Sequence, residues 1–221
     1  MDSDAVAEAR EVYERFQDEQ LSASPLLGMA DWIASGSPPT TKELRSQGFS
    51  ADGPEMLRLA RKAFIRKWGF SIPCSEAVDA LRPLSPLVEI GAGTGYWSAL
   101  LRNAGLDIVA TDLQACGRIG YGFDLGRHGQ LEALAAPEAV RHYPSRSVFC
   151  SWPSEGEPWA FEAAQEIAVG FHLALIGDGP GGITGTPGLH QLLAEAFEIV
   201  AKVEIPQFPR VYDCLTIYRR G

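Results

Sequence analysis

Hydrophobic residues change their spacing along the chain near residue 85. Before this point they recur at the three- and four-residue intervals of a helix with one buried face. The pattern predicts helices over residues 4–20, 42–47, 55–68 and 75–81, separated by loops rich in Gly, Ser and Pro. Beyond it, short apolar runs alternate with helical patterns. The change indicates a helical cap over residues 1–85 and a second domain over residues 86–221.

The second part of the chain has the alternating strand and helix patterns of an α/β protein. Apolar runs that predict strands are followed by segments that predict helices, which favours a mostly parallel sheet covered on both faces. The last two runs have no helix between them, so they predict an antiparallel hairpin at the end of the sheet. The predicted strands are residues 87–90, 107–111, 147–151, 172–176, 199–205 and 214–218. The predicted helices between them are residues 96–104, 130–141, 158–169 and 189–197.

Composition and charge narrow the class of partner. The chain has 221 residues, of which 46% are apolar and 21% charged, as in soluble globular proteins. Its net charge of −9 opposes attraction to a phosphate backbone, so no nucleic-acid partner is expected. The basic residues of segment 58–67 are interpreted as the solvated face of a helix.

Signals for a metal, a membrane or secretion are missing from the sequence. Four cysteines and four histidines are scattered without the spacing of metal ligands, so we expect reduced thiols and no metal. Residues 1–10 are acidic and lack the apolar core of a signal peptide. No apolar run approaches the roughly 20 residues that span a membrane. These features predict a cytoplasmic protein without a membrane partner.

The most informative segment is residues 87–101, with the sequence LVEIGAGTGYWSALL. It predicts a strand, a tight glycine turn and a helix, the arrangement in which the N-terminus of a helix faces a ligand. Dinucleotide sites use the spacing GxGxxG, whereas Gly91, Gly93 and Gly95 follow GxGxG, and Tyr96 occupies the later glycine position. Glu89 would repel a pyrophosphate and suits a ligand with a cationic amino group.

This motif resembles the first motif of class I S-adenosylmethionine (SAM)-dependent methyltransferases. The resemblance covers about residues 86–221 and implies a Rossmann-like seven-stranded sheet with SAM as co-substrate. It further implies that Glu89 binds the methionine end, that Asp112 binds the ribose hydroxyls and that Leu113 lies beside adenine. The remaining residues expected at the cofactor are Gly91, Ala92, Gly93, Gly95, Trp97 and Ser151. For Trp97, packing against the sheet stays open as the alternative.

The acceptor side departs from the family. Its fourth motif usually carries an Asn or Asp, but the matching residues 150–154 read CSWPS, which removes the grounds for an enzyme acting on amides of DNA or protein. Aromatic faces attract a sulfonium, so Trp152 and Phe70 are expected to frame it. Asp178, in the glycine-rich segment 177–185, is a candidate general base. Segments 61–73, 152–153 and 177–185 together resemble a methyltransferase-like branch that implies no particular substrate.

Three functions follow from these observations. The first is a methyltransferase of specialised metabolism that transfers the methyl group of SAM to a small-molecule acceptor and releases S-adenosylhomocysteine (SAH). The second is a cyclase of the same fold that closes a small-ring amino acid from SAM and releases methylthioadenosine. The third is a catalytically silent subunit that binds a partner. A homodimer through the helical segment rests on base rates alone.

Overall fold

A computed structural model of the chain describes residues 3–113, 118–119, 123–124 and 128–221. These residues form an α/β protein in which a group of helices precedes the main sheet. The helices of the described residues are α1 (Ser3–Ser22), α2 (Met29–Ser35), α3 (Thr41–Ser46), α4 (Met56–Lys67), α5 (Ser75–Leu81), α6 (Tyr96–Asn103), α7 (Ala136–His142), α8 (Trp159–Glu166) and α9 (Pro187–Ala196). Short 3-10 turns cover Pro25–Gly28 and Arg82–Leu84.

The main sheet has the order β2-β1-β5-β6-β8-β7. Its strands β2, β1, β5 and β6 are parallel, and β8 runs antiparallel to both β6 and β7. The strands are β1 (Leu87–Ile90), β2 (Ile108–Thr111), β3 (Arg118–Ile119), β4 (Phe123–Asp124), β5 (Ser147–Ser151), β6 (His172–Gly177), β7 (Phe197–Glu204) and β8 (Cys214–Arg220), with β3 and β4 paired separately. The predicted α/β class, mostly parallel sheet and antiparallel final hairpin are confirmed.

The expected seven-stranded sheet is wrong by one strand, because the described residues give the main sheet six strands. Outside β2, a single residue, Glu132, bridges to the strand. Its N–H donates to the carbonyl of Ala110 at 2.9 Å, and its carbonyl accepts the N–H of Asp112 at 3.0 Å. The chain then turns, since the N–H of Leu134 bonds back to the Glu132 carbonyl at 3.0 Å. Pairing therefore stops after one residue, and α7 starts at Ala136 instead of residue 130.

Each face of the sheet has its own hydrophobic cluster. The larger cluster joins the N-terminal helices to the sheet, with Leu26 and Phe64 packed in the same group as Trp97 and Phe149. The second cluster holds Val88 on the opposite face together with residues of α7, α8 and α9. The side chains of the helical segment and of the sheet therefore share one continuous apolar interior. A separate domain over residues 1–85 stays a prediction.

Helix α3, predicted over residues 42–47, starts with the geometry of a capping box. The Thr40 hydroxyl accepts the N–H of Glu43 at 3.1 Å, and the Glu43 carboxylate accepts the N–H of Thr40 at 2.8 Å. These bonds hold the Glu43 carboxylate, and they lower the pKa of Glu43. Among the helices that the structure describes, none combines the length and apolar character needed to cross a membrane.

Candidate functional site

Successive strands are added to the sheet on opposite sides of β1, and this change of direction locates the candidate site. From β1 the chain passes through α6 to β2 on one side, whereas the next sheet strand, β5, lies on the other side of β1. In open α/β sheets, ligands bind in the crevice at the carboxyl ends of the strands at such a point. The glycine turn after Ile90 and the segment after Ser151 both lie at these ends.

The glycine turn adopts backbone conformations that side chains disfavour. Gly91, Gly93 and Gly95 have φ angles of 62°, 57° and 76°, all in the left-handed region. A Cβ at Gly91 would lie 2.7 Å from Cη2 of Trp159, the first residue of α8. The N–H of Ala92 fixes the turn to β2 by donating to the Thr111 carbonyl at 3.0 Å. A glycine at position 91 therefore lets the backbone and an indole approach closely.

Asp112 is brought directly to this turn. Its Oδ2 accepts the N–H of Gly93 at 2.8 Å, although the two residues are 19 apart in the sequence. Asp112 is partly buried, whereas the neighbouring Leu113 is 69% exposed. The two candidate elements of the cofactor site are thus adjacent. Tyr121, in the glycine-rich segment after Asp112, lies outside the described residues.

Glu89 lies deeper than its expected role suggests. Its side chain points into the core between β1 and α6, with 2% of the residue exposed, and a carboxyl oxygen accepts a hydrogen bond from the Ser98 hydroxyl. Burial raises the pKa of Glu89 to about 7 because water no longer solvates the charged form. A protonation change at Glu89 is therefore linked to the stability of the folded chain.

A cluster of buried polar groups joins the helical segment to the sheet. The Ser71 hydroxyl accepts the indole N–H of Trp97 at 2.9 Å and lies 3.0 Å from the hydroxyl of Tyr96 and 2.8 Å from that of Ser151. Trp97 is fully buried and packs edge-on against Phe149, so its ring belongs to the core. Burial raises the pKa of Tyr96 above its usual range. Ser151 is thus fixed from the segment that precedes α5.

A second connection runs from the helical segment to the glycine turn. The Thr94 hydroxyl donates to the carbonyl of Trp68, and the Thr94 carbonyl accepts the N–H of His128 at 2.9 Å. The rings of Trp68 and His128 stack with their centres 4.3 Å apart. Burial lowers the pKa of His128, which favours the neutral imidazole. The helical segment is therefore anchored on both sides of Phe70.

Trp152 and Phe70 form a single aromatic surface. Their rings stack on each other at 5.1 Å with an interplanar angle of 13°, so they do not stand apart around a ligand. The guanidinium of Arg61 lies 5.0 Å from the centre of the Trp152 ring. The indole N–H of Trp152 donates to Oδ1 of Asp213 at 2.8 Å. This surface continues from the carboxyl end of β5, beside the candidate cofactor crevice.

Asp178 binds the backbone of two loops. Its Oδ1 accepts the N–H of Tyr212 at 3.0 Å and its Oδ2 accepts that of Ile183 at 3.4 Å. The Thr184 hydroxyl donates to the Asp178 carbonyl at 3.0 Å. The candidate base therefore also holds the glycine-rich segment after β6 against the loop that precedes β8.

The basic residues of segment 58–67 are exposed or half-buried on α4, in line with the expected solvated face, and they also have partners within the fold. Arg58 forms an ion pair with Glu55 at 2.5 Å, and Arg66 forms one with Asp18 at 2.9 Å. Arg61 lies over Trp152. Lys62 and Lys67 likewise lie over the rings of Tyr13 and Trp68, so all five basic residues have partners within the fold.

Sequence reasoning missed Asp213 and the contact of Arg61 with Trp152. Asp213 is separated by 61 residues from Trp152, and Arg61 lies on α4 among other basic residues. Neither has a motif around it, so only the tertiary contacts reveal them. Among the described residues, no three His, Cys, Asp or Glu side chains come together as metal ligands.

Comparisons with known proteins give a partial likeness of fold. No protein-family model matches the chain, and no curated protein matches it. A structure of magnesium protoporphyrin IX methyltransferase (ChlM) from Synechocystis PCC 6803 with bound SAM aligns over 86% of this chain and 94% of its own, with 13% identity and a TM-score of 0.46. The N-methyltransferase NodS from Bradyrhizobium japonicum WM9 aligns over 65% and 92%, with 16% identity and a TM-score of 0.40.

A third similar structure, TrmN from Thermus thermophilus, has 15% identity and a TM-score of 0.42. The alignment covers 66% of this chain and 47% of TrmN, so the chain spans about half the length of that protein. Two of these three descriptions name methyltransferases, the superfamily that the glycine motif resembles. Because all three TM-scores lie below 0.5, the functional proposal rests on this chain's own residues.

Proposed function

We propose that this chain is a SAM-dependent methyltransferase that acts on a small-molecule acceptor. The observation that carries the proposal is the 2.8 Å hydrogen bond between Gly93 and Asp112 at the point where the sheet order reverses. This hydrogen bond connects two parts of the site. One is a glycine turn, which a ligand can approach closely, and the other is a carboxylate suited to binding ribose hydroxyls. A site for the cofactor's nucleoside is thereby assembled from two separate segments.

The chemistry of the crevice residues supports SAM as the ligand. Gly91 and Gly93 are half-buried beside the N-terminus of α6, and the carboxylate of Asp112 accepts the N–H of Gly93 next to them. When bound, SAM supplies a methyl group on a positively charged sulfur. The aromatic surface at the carboxyl end of β5 already holds one cation, the guanidinium of Arg61, which is consistent with a surface that attracts positive groups. Glu89 serves this site indirectly, because its buried carboxyl group ties the end of β1 to α6 through Ser98.

The chain's contribution to methyl transfer is mainly positional. In-line displacement at carbon depends on holding two reactants at the correct distance and angle, and it needs no obligatory base. Trp152 and Phe70 provide a rigid wall, and Asp178 fixes the two loops around the acceptor side. The product of transfer is SAH.

The choice of a small acceptor over nucleic acid rests on charge. The net charge is −9, and the arginines of α4 are engaged with Glu55, Asp18 and Trp152. A nucleic-acid interface requires a basic surface that stays available to phosphates. These observations support an acceptor that enters the crevice rather than one that lies across the surface.

Calorimetric titration with SAM tests the cofactor proposal by comparing the affinity of the Asp112→Ala variant with that of the wild type. We expect the Kd for SAM to rise about 10- to 100-fold, because a hydrogen bond to a charged group contributes about 1.5–3 kcal/mol. Asp52→Ala, in an exposed loop, is the control and should match the wild type. Equal affinity of Asp112→Ala and wild type would refute the ribose role. Wild-type binding weaker than ~1 mM would instead favour a silent subunit.

Trp152→Leu tests whether the aromatic surface recognises the sulfonium. A cation over an aromatic ring contributes about 0.5–2 kcal/mol, so the affinity for SAM should fall about 2- to 30-fold. The affinity for SAH, whose sulfur is neutral, should change less than about twofold. Trp32→Leu in α2 is the control and should leave the SAM-to-SAH ratio unchanged. Equal losses for SAM and SAH would show that Trp152 is structural.

Mass spectrometry of the products distinguishes methyl transfer from cyclisation. Incubation with SAM and a library of small nucleophiles should give SAH only when an acceptor is present. Methylthioadenosine formed from SAM alone, without SAH, would overturn methyl transfer and leave the cyclase.

A further inference from the structure

The backbone at Trp152 is unusual for a residue with a large side chain. Its φ angle is 60°, in the left-handed region that costs non-glycine residues about 1–3 kcal/mol. The residue directly follows β5, and its N–H donates to the carbonyl of Ile176 at the end of β6 at 2.8 Å. This conformation turns the indole away from the strand direction at the edge of the crevice. Other contacts must hold it there.

Asp213 supplies the polar contact that holds the ring. It is the last residue before β8 and is 2% exposed, and its Oδ1 accepts the indole N–H of Trp152 at 2.8 Å. Its main-chain carbonyl accepts a hydrogen bond from the Gln207 amide at 2.8 Å, which fixes the loop around it. A buried carboxylate is costly to desolvate, so an aspartate at this position requires a compensating role.

We propose that Asp213 is a positioning residue that holds the indole of Trp152 against Phe70 at the edge of the crevice. The proposal rests on the proposed function for its effect on SAM, whereas the contact itself stands on geometry. Three restraints act on one ring: the hydrogen bond to Asp213, the stack on Phe70 and the guanidinium of Arg61. Of these, the hydrogen bond is directional and fixes the rotation of the ring in its plane.

The surroundings of Asp213 set its protonation. Burial has the largest influence and raises the pKa of Asp213 to about 7, and the nearby charge of Asp178 raises it further. The indole N–H of Trp152 and the positive charge of Arg61 act in the opposite direction. The buried phenol of Tyr96 also interacts electrostatically with Asp213. The hydrogen bond to Trp152 is therefore strongest above neutral pH, where Asp213 is charged.

Nuclear magnetic resonance of the indole N–H groups in the full-length protein tests the contact directly. The Trp152 signal is assigned by its loss in Trp152→Phe. In the wild type it should shift with a midpoint near pH 7, and in Asp213→Asn this titration should disappear while the signal stays near its low-pH position, because asparagine is neutral like protonated Asp213. Asp79→Asn, exposed on α5, is the control and should keep the wild-type titration. A Trp152 signal that does not titrate, or titrates unchanged in Asp213→Asn, overturns the proposal.

Ligand binding tests the positioning role. Asp213→Ala should lower the preference for SAM over SAH as much as Trp152→Leu does, whereas Asp213→Asn, which keeps an acceptor oxygen, should recover at least half of that loss. Asn and Ala variants with the same SAM-to-SAH ratio would contradict the proposal. If Asp213→Ala does not fold, the Asn variant and the indole titration decide. Failure of the wild type to bind SAM would refute the proposed function, while the indole titration would still test the contact.

Discussion

Gly91→Val is expected to abolish SAM binding and to lower the free energy of unfolding by about 2–6 kcal/mol. Two physical causes add up at this position. A β-branched residue is strained at the φ angle of 62°. Its Cβ would also meet the ring of Trp159 at 2.7 Å, so either the turn or the first residue of α8 must move. Movement of the turn separates Gly93 from Asp112 and dismantles the cofactor site.

Gly105→Val provides a matched control. Gly105 also has a positive φ, 87°, but no atom lies within 4 Å of a Cβ built there. This variant should lose only about 1–3 kcal/mol through backbone strain, and its Kd for SAM should stay within about twofold of wild type. Chemical unfolding and calorimetric titration measure both quantities. SAM affinity in Gly91→Val equal to that of Gly105→Val would show that the glycine turn does not bind the cofactor.

The stability of the wild-type protein is expected to fall as the pH rises from 5 to 8. Burial raises the pKa of Glu89 from 4.5 to about 7, so between these values the folded state binds more protons than the unfolded state. The contribution of Glu89 to the free energy of unfolding is therefore greatest below pH 4.5, decreases between pH 4.5 and pH 7, and levels off above pH 7. For Glu89 the loss is about 3 kcal/mol, at about 1.4 kcal/mol per pH unit. Asp213 adds a loss of the same sign.

Glu89→Gln isolates the contribution of Glu89, because a glutamine cannot ionise. The variant should show a flatter dependence of the unfolding free energy on pH, and relative to wild type it should gain stability between pH 5 and pH 8. Exposed Glu157→Gln is the control and should follow the wild-type curve. Denaturant titrations at pH 5, 6, 7 and 8 measure the difference. Parallel curves for wild type and Glu89→Gln would show that Glu89 ionises normally in the folded protein.

Local signals predicted most of the elements of the fold. Alternation of apolar runs and helical patterns gave the parallel part of the sheet and the final antiparallel hairpin, which β7 and β8 confirm. Turn chemistry located the glycine turn, where three positive φ angles coincide with three glycines. Helix α2 was missed, since Met29–Ser35 is short and lies between turns. The seventh strand was also wrong, because nothing in the residues around Glu132 reveals that pairing ends after one residue.

The sequence by itself determined where the glycine turn lies and predicted the kind of site there, and the tertiary structure decided which side chains meet around it. Gly91, Gly93 and Gly95 could be identified from their spacing after a predicted strand, and the family resemblance pointed to Asp112 after the next strand. The contact between Trp152 and Asp213 could not be identified in this way, since it depends on β6 and β8 lying side by side beyond β5. Pairing across 61 residues is fixed by the packing of the whole sheet, which no short stretch of sequence specifies.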